Sequence, residues 1–304
     1  MSAVDLTSNV GTVSLRSPIL TAAGTAGFGT ELAGYGNLAE LGAFVTKSLA
    51  TFEWPGNPAP RVTAVGEHLV NSVGLAGPGV AAWQRDYEPA LVAHGVTVVA
   101  SIWGRNVREF ADAADALADS ASVAIEVNAS CPNLEDRATM FAHSIEATTA
   151  IVRATVRPGR PVWVKLSPNT PDLVRIAAAA VDAGAQALVL VNTVLGLAID
   201  LETRRPVLGG IGGGVSGPGI LPVSLRAVYD CRHALPTVPI VGVGGVRSGK
   251  DAIAMMMAGA NAVEVGTAIF ANPRAPWQIQ SEIVSWLSAH GVNSVDEIIG
   301  AAHG

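Results

Sequence analysis

The chain has few cysteines and few charged residues for its size. Only two of its 304 residues are cysteine, which is too few for a disulfide framework or an iron–sulfur cluster within this chain. Charged residues make up 14% of the sequence, and the formal net charge is −6 without a cluster of basic residues. Nucleic acid is therefore not expected as a main partner, because neutralising phosphates requires grouped lysine and arginine. Cys231 falls in an apolar helical pattern and is predicted to be a core residue.

The sequence also lacks long apolar runs, polar low-complexity tracts and a recognisable secretion signal. No apolar stretch reaches about 18 residues, the length that spans a bilayer. The first twenty residues have neither a basic start nor an apolar signal core. Hydrophobic residues nevertheless make up 49% of the chain, enough for a large core. These features predict a cytoplasmic protein without a membrane segment, folded as one domain over residues 1–304.

What the sequence does contain is a series of eight short apolar runs, typical of strands buried on both faces. They occupy residues 19–23, 43–46, 96–100, 123–127, 162–165, 187–191, 240–243 and 262–265. Helix-period segments follow most of them, at residues 105–119, 142–156, 171–183, 222–235, 248–258 and 276–290. This alternation predicts an α/β fold with a parallel sheet. Eight repeats favour a closed (β/α)8 TIM barrel over the alternative, a doubly wound sheet, which usually has fewer strands and one glycine-rich first turn.

Polar residues follow the carboxyl ends of these runs, where the active sites of barrel enzymes lie. Lys47 and Lys165 end otherwise apolar runs, and an unpaired buried ammonium is costly unless it meets an anion or an electron-rich ligand. Cys131 lies in the loop after the fourth run, among polar neighbours. The pattern predicts an active site at this end of the barrel. A salt bridge at the barrel rim is the alternative interpretation of each lysine.

The last two runs end in glycines and predict a separate phosphate site. Gly244 and Gly245 follow the seventh run, and Gly266 and Thr267 follow the eighth. Glycine lets backbone N–H groups approach an anion closely, and barrels often bind phosphate after strands seven and eight. Tight strand-to-helix turns are the alternative explanation. The spacing to Lys250 does not match a Walker motif, so a nucleoside triphosphate is not expected.

Taken together, the motifs resemble those of class 1 dihydroorotate dehydrogenases, the flavin enzymes of pyrimidine synthesis, almost from end to end. The matching stretches are SPILTAAG at 17–24, TKS at 46–48, GNPAPR at 56–61, NSVGL at 71–75, NASCPN at 128–133, KLSPN at 165–169, VNT at 191–193 and the final glycine turns. Residues 196–209 and 214–218 are most similar to the NAD-linked branch, class 1B. The resemblance implies oxidation of (S)-dihydroorotate to orotate.

The resemblance also implies a bound FMN and a second subunit that carries FAD and an iron–sulfur cluster and passes electrons to NAD. The assembly would be a homodimer, or a heterotetramer with two partner subunits. Lys165 would face the pyrimidine end of the flavin, where a cation stabilises the charge gained on reduction. The implied FMN contacts are Ala23, Gly24, Lys47, Ser48, Ser101, Asn128, Lys165, Val191, Gly217, Gly244, Gly245, Gly266 and Thr267.

For the substrate, the resemblance implies fixed donors and acceptors around the ring and carboxylate of dihydroorotate. The implied residues are Lys47, Asn71, Ser72, Val73, Gly74, Leu75, Asn128, Asn133, Asn192 and Thr193. Cys131 is implied as the base that takes a proton from C5 while a hydride leaves C6. A thiol suits this role because its pKa lies closer to neutrality than that of a serine hydroxyl. Segments 132–143 and 202–222 are expected to cover the site.

Three departures from the family pattern keep two other hypotheses open. Ser101 stands where the family usually has asparagine, with Trp103 close behind it in place of a small residue. Ala23 replaces a serine, and residues 134–142 lack the usual glycines. A related FMN-dependent reaction on another dihydropyrimidine or a cyclic enone is therefore the second hypothesis, although Asn133 favours dihydroorotate because dihydropyrimidine dehydrogenases typically have histidine there. The third is a non-redox barrel, either a Schiff-base lyase or a phosphate-binding scaffold.

Overall fold

The computed structural model describes residues 4–130 and 140–304 and arranges eight parallel strands in one barrel. The strands are β1 Ile19–Thr21, β2 Phe44–Val45, β3 Val98–Ile102, β4 Ala124–Asn128, β5 Val162–Leu166, β6 Ala187–Leu190, β7 Ile240–Val243 and β8 Ala262–Val265. Strands β2 to β8 pair in chain order, and β8 pairs with β1. A parallel bridge between Leu20 and Ala43 joins β1 to β2. The predicted (β/α)8 barrel is confirmed.

Helices surround the barrel and present their apolar faces to it. Their bounds are α1 Val80–Asp86, α2 Glu88–Ala93, α3 Val107–Ala116, α4 Ile145–Thr155, α5 Leu173–Asp182, α6 Leu221–Ala234, α7 Gly249–Met257, α8 Ala268–Ala271 and α9 Ala275–Ala289. In α3 the buried residues Phe110, Ala113 and Ala114 recur at helical spacing. Each helical segment predicted from periodicity coincides with one of these helices to within three residues at either end, whereas α1, α2 and α8 were not predicted.

Side-chain caps fix where several of these helices begin. The Asn106 side chain accepts a hydrogen bond from the Glu109 N–H at the start of α3, at 3.0 Å. At α7, Ser248 and Asp251 form a reciprocal capping box. Such caps satisfy N–H groups that the first helical turn leaves without partners. They set the start of each helix just after the loop that leaves a barrel strand.

An N-terminal hairpin closes the amino end of the barrel. Its strands, Ser8–Val10 and Val13–Leu15, pair antiparallel. Ser8 Oγ donates a 2.5 Å hydrogen bond to the backbone carbonyl of Asn261, the residue before β8. The apolar side chains of the hairpin pack in one cluster with interior barrel residues such as Trp163. The barrel interior is thus a packed core at this end.

A four-stranded antiparallel sheet, here called the cover sheet, lies at the carboxyl end. Its strands, in spatial order, are Val194–Gly196, Gly213–Ser216, His68–Asn71 and Val62–Val65. Segment 202–222, expected as a cover, contributes the second strand and the 3-10 helix Pro218–Ile220. Of segment 132–143, residues 131–139 lie outside the described residues. Within the two described stretches, no helix combines the length and apolar character needed to cross a bilayer.

Candidate active site

A cavity of about 1210 Å³ lies at the carboxyl ends of the barrel strands, with the cover sheet as part of its wall. Typical ligand pockets measure roughly 300–1,000 Å³. The cavity is therefore large enough for a nucleotide-sized cofactor and a small substrate together. Loops after seven of the strands contribute to the wall, through Gly24, Lys47, Trp103, Ser130, Asn192, Gly244 and Gly266.

The cavity brings together most of the residues predicted for the site. The predicted substrate residues on its wall are Lys47, Asn71, Ser72, Val73, Gly74, Leu75, Asn128, Asn192 and Thr193. The predicted cofactor residues on its wall are Ala23, Gly24, Lys47, Ser48, Asn128, Lys165, Val191, Gly217, Gly244, Gly245, Gly266 and Thr267. Cys131 and Asn133 lie outside the described residues. Ser101 is fully buried and lies behind the wall.

Two asparagines on the wall are held in fixed orientations by their neighbours. Asn192 Nδ2 donates to Asn128 Oδ1 at 3.3 Å, and Asn128 Nδ2 donates to Ser48 Oγ at the same distance. The Thr193 N–H donates to Asn192 Oδ1 at 2.8 Å. Across the cavity, Asn71 Nδ2 donates to the Gly214 carbonyl in the cover sheet at 3.2 Å. These contacts give the cavity a set of preorganised amide groups, which suits recognition of a small ring with amide edges.

The glycine turns after β7 and β8 form a cradle of backbone donors. The N–H groups of Gly244, Gly245, Gly266 and Thr267 donate to no backbone acceptor within the described part of the chain. Gly245 has a φ of 81°, and a Cβ there would lie 2.5 Å from the backbone nitrogen of Leu221, at the start of α6. Glycine is therefore required where the turn meets the positive end of the α6 dipole. This donor set fits the phosphate of a flavin mononucleotide.

At the cavity floor, Lys165 is held between two buried glutamates. Its Nζ donates to Glu264 Oε2 at 2.7 Å and lies 3.6 Å from Glu126 Oε2. Both carboxylate side chains are fully buried, while Lys165 is 5% exposed and reaches the cavity wall. The three groups come from strands β4, β5 and β8. The ammonium is therefore fixed at one place on the cavity floor.

The charges of this triad determine its protonation. Burial disfavours the ammonium, but the charges of Glu126 and Glu264 outweigh that effect and raise the pKa of Lys165. Burial raises the pKa of Glu264 well above its ordinary value, and Glu126 adds to this while Lys165 opposes it. Lys165 is therefore favoured in its charged form, and Glu264 is favoured in its protonated form. Net negative charge on three buried groups is avoided in this way.

Ser101 connects the triad to the cavity wall. Its Oγ donates to Glu126 Oε1 at 2.9 Å and lies 3.0 Å from Ser48 Oγ. Its backbone N–H donates to Thr46 Oγ1 at 3.0 Å. Ser101 thus reaches the cavity through Ser48 and not directly. Glu126 and Glu264 were not predicted as site residues from the sequence. An acid inside an apolar run could have indicated them, because a buried charge needs a partner, as it does for the two lysines.

Trp103, another departure from the predicted pattern, lines the cavity as part of an aromatic cluster. Its ring lies 5.9 Å from that of Trp54 and 5.8 Å from that of Phe52, both edge to face. The Arg105 guanidinium lies 4.4 Å from the Phe52 ring centre. Trp54 Nε1 donates to the carbonyl of Gly74 at 3.0 Å, within the predicted substrate segment 71–75. The large side chain at position 103 therefore supports a wall of the site.

The second cysteine has no place in the cavity. Cys231 lies on α6 and is fully buried in the main hydrophobic cluster. Burial, with a smaller contribution from Asp230, raises the pKa of its thiol to about 12. A thiol in that state is a weak nucleophile. The prediction that Cys231 is a core residue is confirmed.

Comparison with known proteins agrees with this geometry. Residues 5–287 match the family model described as dihydroorotate dehydrogenase. The chain is 42% identical over 299 residues to the catalytic subunit of dihydroorotate dehydrogenase B (NAD(+)) from Pelobacter propionicus, covering 98% of each chain. It is 43% identical over 293 residues to the subunit of the same name from Desulforudis audaxviator, covering 96% of this chain and 95% of the other. The chain therefore belongs to the dihydroorotate dehydrogenase family.

Proposed function

We propose that this protein oxidises dihydroorotate to orotate in pyrimidine biosynthesis, with FMN bound in the cavity. The main support for the proposal is that three features of the site lie on the wall of one cavity. A phosphate-sized cradle of backbone donors, a buried lysine and a set of oriented amides all face the same cavity. Family membership supports the same activity.

Residues on the cavity wall would hold the FMN. Gly244, Gly245, Gly266 and Thr267 would hold the phosphate through backbone N–H groups. Lys165 would place its ammonium against the ring system, where cationic charge favours the reduced form of a flavin. A flavin bound here supplies the acceptor for the hydride that leaves the substrate. Release of the bound cofactor by heat, followed by mass spectrometry, distinguishes FMN from FAD; a colourless protein that takes up no FMN would favour the non-redox hypothesis.

Substrate binding would use the amide groups of the opposite wall. Asn71, Asn128, Asn192 and Thr193 offer donors and acceptors for the ring amides and the carboxylate, and Lys47 offers a cation. We propose Cys131 as the base and Asn133 as a further substrate contact. The C5–H bond breaks as the Cys131 thiolate takes the proton, and the C6–H bond breaks as the hydride leaves. A double bond then joins C5 and C6 of orotate.

A second subunit would receive the electrons. The names of the relatives describe a catalytic subunit of an enzyme that uses NAD(+). We propose that the present chain likewise works with a partner that carries FAD and an iron–sulfur cluster and reduces NAD, in a heterotetramer with two copies of each chain. Reconstitution with such a partner should give dihydroorotate-dependent NADH formation. A homodimer that reduces another acceptor without the partner would contradict this part.

The substrate is tested by product formation with an artificial electron acceptor. Dihydroorotate should give orotate, identified by chromatography, whereas dihydrouracil should give little product because it lacks the carboxylate that Lys47 and the amides would bind. Faster turnover of dihydrouracil or of a cyclic enone would favour the second hypothesis. The departure at Ser101 does not require that alternative, because its side chain lies behind Ser48. Trp103 lines the cavity, so it is the departure that this comparison of substrates tests.

A further inference from the structure

A continuous line of hydrogen-bonding groups leads from the cavity into the barrel interior. On the wall, Ser48 Oγ accepts from Asn128 Nδ2 at 3.3 Å. Behind it, Ser48 and Ser101 are joined through their hydroxyls at 3.0 Å, and Ser101 reaches Glu126 Oε1 at 2.9 Å. Ser48 is 2% exposed, and Ser101 and Glu126 are fully buried. The line therefore gives the buried carboxylate a hydrogen-bonded route to the cavity.

The hydrogens along this line have one direction. Ser101 donates its proton to Glu126 and must accept from Ser48. Ser48 in turn accepts from the Asn128 amide and donates inward to Ser101. A hydroxyl can accept one proton while it gives up another, which an amide side chain does poorly. The hydroxyl of Ser101 is what makes the line continuous for protons.

At its inner end the line meets two buried carboxyl groups, of which Glu264 favours its protonated form. Glu126 Oε2 and Glu264 Oε1 are buried and have no hydrogen-bond partner among the described residues. Their other oxygens accept from Ser101 and Lys165 respectively. A proton on Glu264 leaves a single negative charge on the two carboxyls to balance Lys165. The charged groups that act on Glu264 are Glu126 and Lys165.

We propose that Ser48, Ser101, Glu126 and Glu264 form a buried relay that exchanges protons with the cavity. A proton from the cavity is taken by Ser48 Oγ as the Ser48 proton passes to Ser101 and the Ser101 proton passes to Glu126 Oε1. Each serine oxygen loses one O–H bond and gains one, and no electrons are transferred. The return of the proton follows the same route in reverse.

The role of the relay in turnover rests on the proposed function, the oxidation of dihydroorotate. Oxidation of dihydroorotate would leave a proton on Cys131. Transfer of that proton through Ser48 and Ser101 to Glu126 would leave the base ready for another turn. The relay itself can be tested without any substrate.

The test is infrared spectroscopy of the flavin-loaded protein after rapid transfer into deuterated water. A buried protonated carboxyl gives a carbonyl band separate from those of carboxylates, and exchange of its proton for deuterium shifts the band. Glu264→Gln should remove the band and so assign it. Ser101→Ala should keep the band but slow its exchange at least tenfold, because the hydroxyl route is interrupted.

Two further variants guard against trivial outcomes. Ser8→Ala removes an equally buried hydroxyl at the amino end of the barrel and should exchange like the wild type. Ser101→Thr keeps a hydroxyl and should restore fast exchange if the alanine variant slows it. Absence of the band in the wild type, or equal exchange in Ser101→Ala and wild type, would overturn the relay.

A turnover measurement separates failure of the relay from failure of the proposed function. With dihydroorotate, Ser101→Ala should lower kcat severalfold while the first reduction of the flavin keeps its rate. An equal decrease in kcat and in the rate of the first flavin reduction would mean that Ser101 acts only on binding or packing. That result would refute its role in turnover. A protein that does not oxidise dihydroorotate at all would refute the proposed function and leave the infrared result standing.

Discussion

Removal of the ammonium at the cavity floor should destabilise the protein in a pH-dependent way. Lys165→Met keeps most of the length and apolar surface of the side chain but leaves Glu126 and Glu264 without their cation. Both carboxyls are fully buried, and Lys165 Nζ lies 2.7 Å from Glu264 Oε2 and 3.6 Å from Glu126 Oε2. Removing one partner of a buried ion pair costs roughly 3–5 kcal/mol. We expect a loss of that size in the free energy of unfolding at neutral pH.

The sign of the pH dependence follows from proton binding. A carboxyl whose pKa is raised by folding binds more protons in the native state than in the unfolded state. Stability therefore falls as pH rises from the ordinary glutamate pKa of about 4.3 towards the raised value, by up to about 1.4 kcal/mol per pH unit for each group. In Lys165→Met the cation that opposes the rise of the Glu264 pKa is gone, so the loss should shrink as the pH is lowered towards about 5. The contribution of Lys165 itself, whose pKa is raised, is complete below about 10.4 and does not vary near neutrality.

The assay is equilibrium urea denaturation at neutral and mildly acidic pH, with and without added FMN. The two series separate the effect of the lost ion pair from that of weaker cofactor binding. Lys250→Met is the matched control, since Lys250 is exposed and its loss should change stability by less than about 0.5 kcal/mol. A loss below about 1 kcal/mol in Lys165→Met, or one that does not depend on pH, would refute the reasoning about the buried triad.

Three further predictions concern the cradle, the core thiol and the proton on the triad. Gly245→Ala places a Cβ 2.5 Å from the Leu221 nitrogen and should weaken FMN binding at least tenfold by fluorescence titration; Gly291→Ala, which has a similar positive φ in open space, should leave binding unchanged. The Cys231 thiol, with a pKa of about 12, should not react with iodoacetamide at neutral pH until the protein unfolds, and fast labelling of the native protein would contradict its burial. Glu264→Gln resembles the protonated carboxyl and should cost less than about 1.5 kcal/mol in urea denaturation; a loss as large as that of Lys165→Met would mean that Glu264 is ionised.

The barrel could be predicted because its strands and helices have simple periodic patterns. Strand ends agree with the predicted runs within two residues and helix ends within three. The third strand differs most, since it is Val98–Ile102 and not 96–100. Ser101 and Ile102 extend it because Ile102 is fully buried and pairs with Val127 of β4. A run of apolar residues predicts that a strand exists better than where it ends.

The cover sheet could not be predicted from local pattern. Its strand Gly213–Ser216 is rich in glycine, which has low strand propensity. Its pairing partner, His68–Asn71, lies far away in sequence, with Gly214 opposite Asn71. Only the folded barrel brings these segments together. Segment 202–222 was therefore expected to cover the site, but the strand Gly213–Ser216 within it was not predicted.

The site was predicted from sequence motifs. The prediction did not include the polar residues that lie inside apolar runs. Glu126 and Glu264 were counted as part of buried strands, although each needs a partner for its charge. Ser101 was predicted as a direct cofactor contact, and the structure places it behind Ser48. The direction of a side chain in a short strand depends on register, which the sequence does not give. The roles proposed for Cys131 and Asn133 stay predictions.

The central claim is tested most directly by anaerobic mixing of the flavin-loaded protein with dihydroorotate while the flavin absorbance is recorded. The account predicts rapid bleaching in the wild type and in Cys231→Ala, whose thiol lies away from the cavity. Cys131→Ala should bleach roughly 10²–10⁴-fold more slowly, the contribution of a general base. A wild-type flavin that stays oxidised with dihydroorotate, or a Cys131→Ala variant as fast as the wild type, would contradict the account.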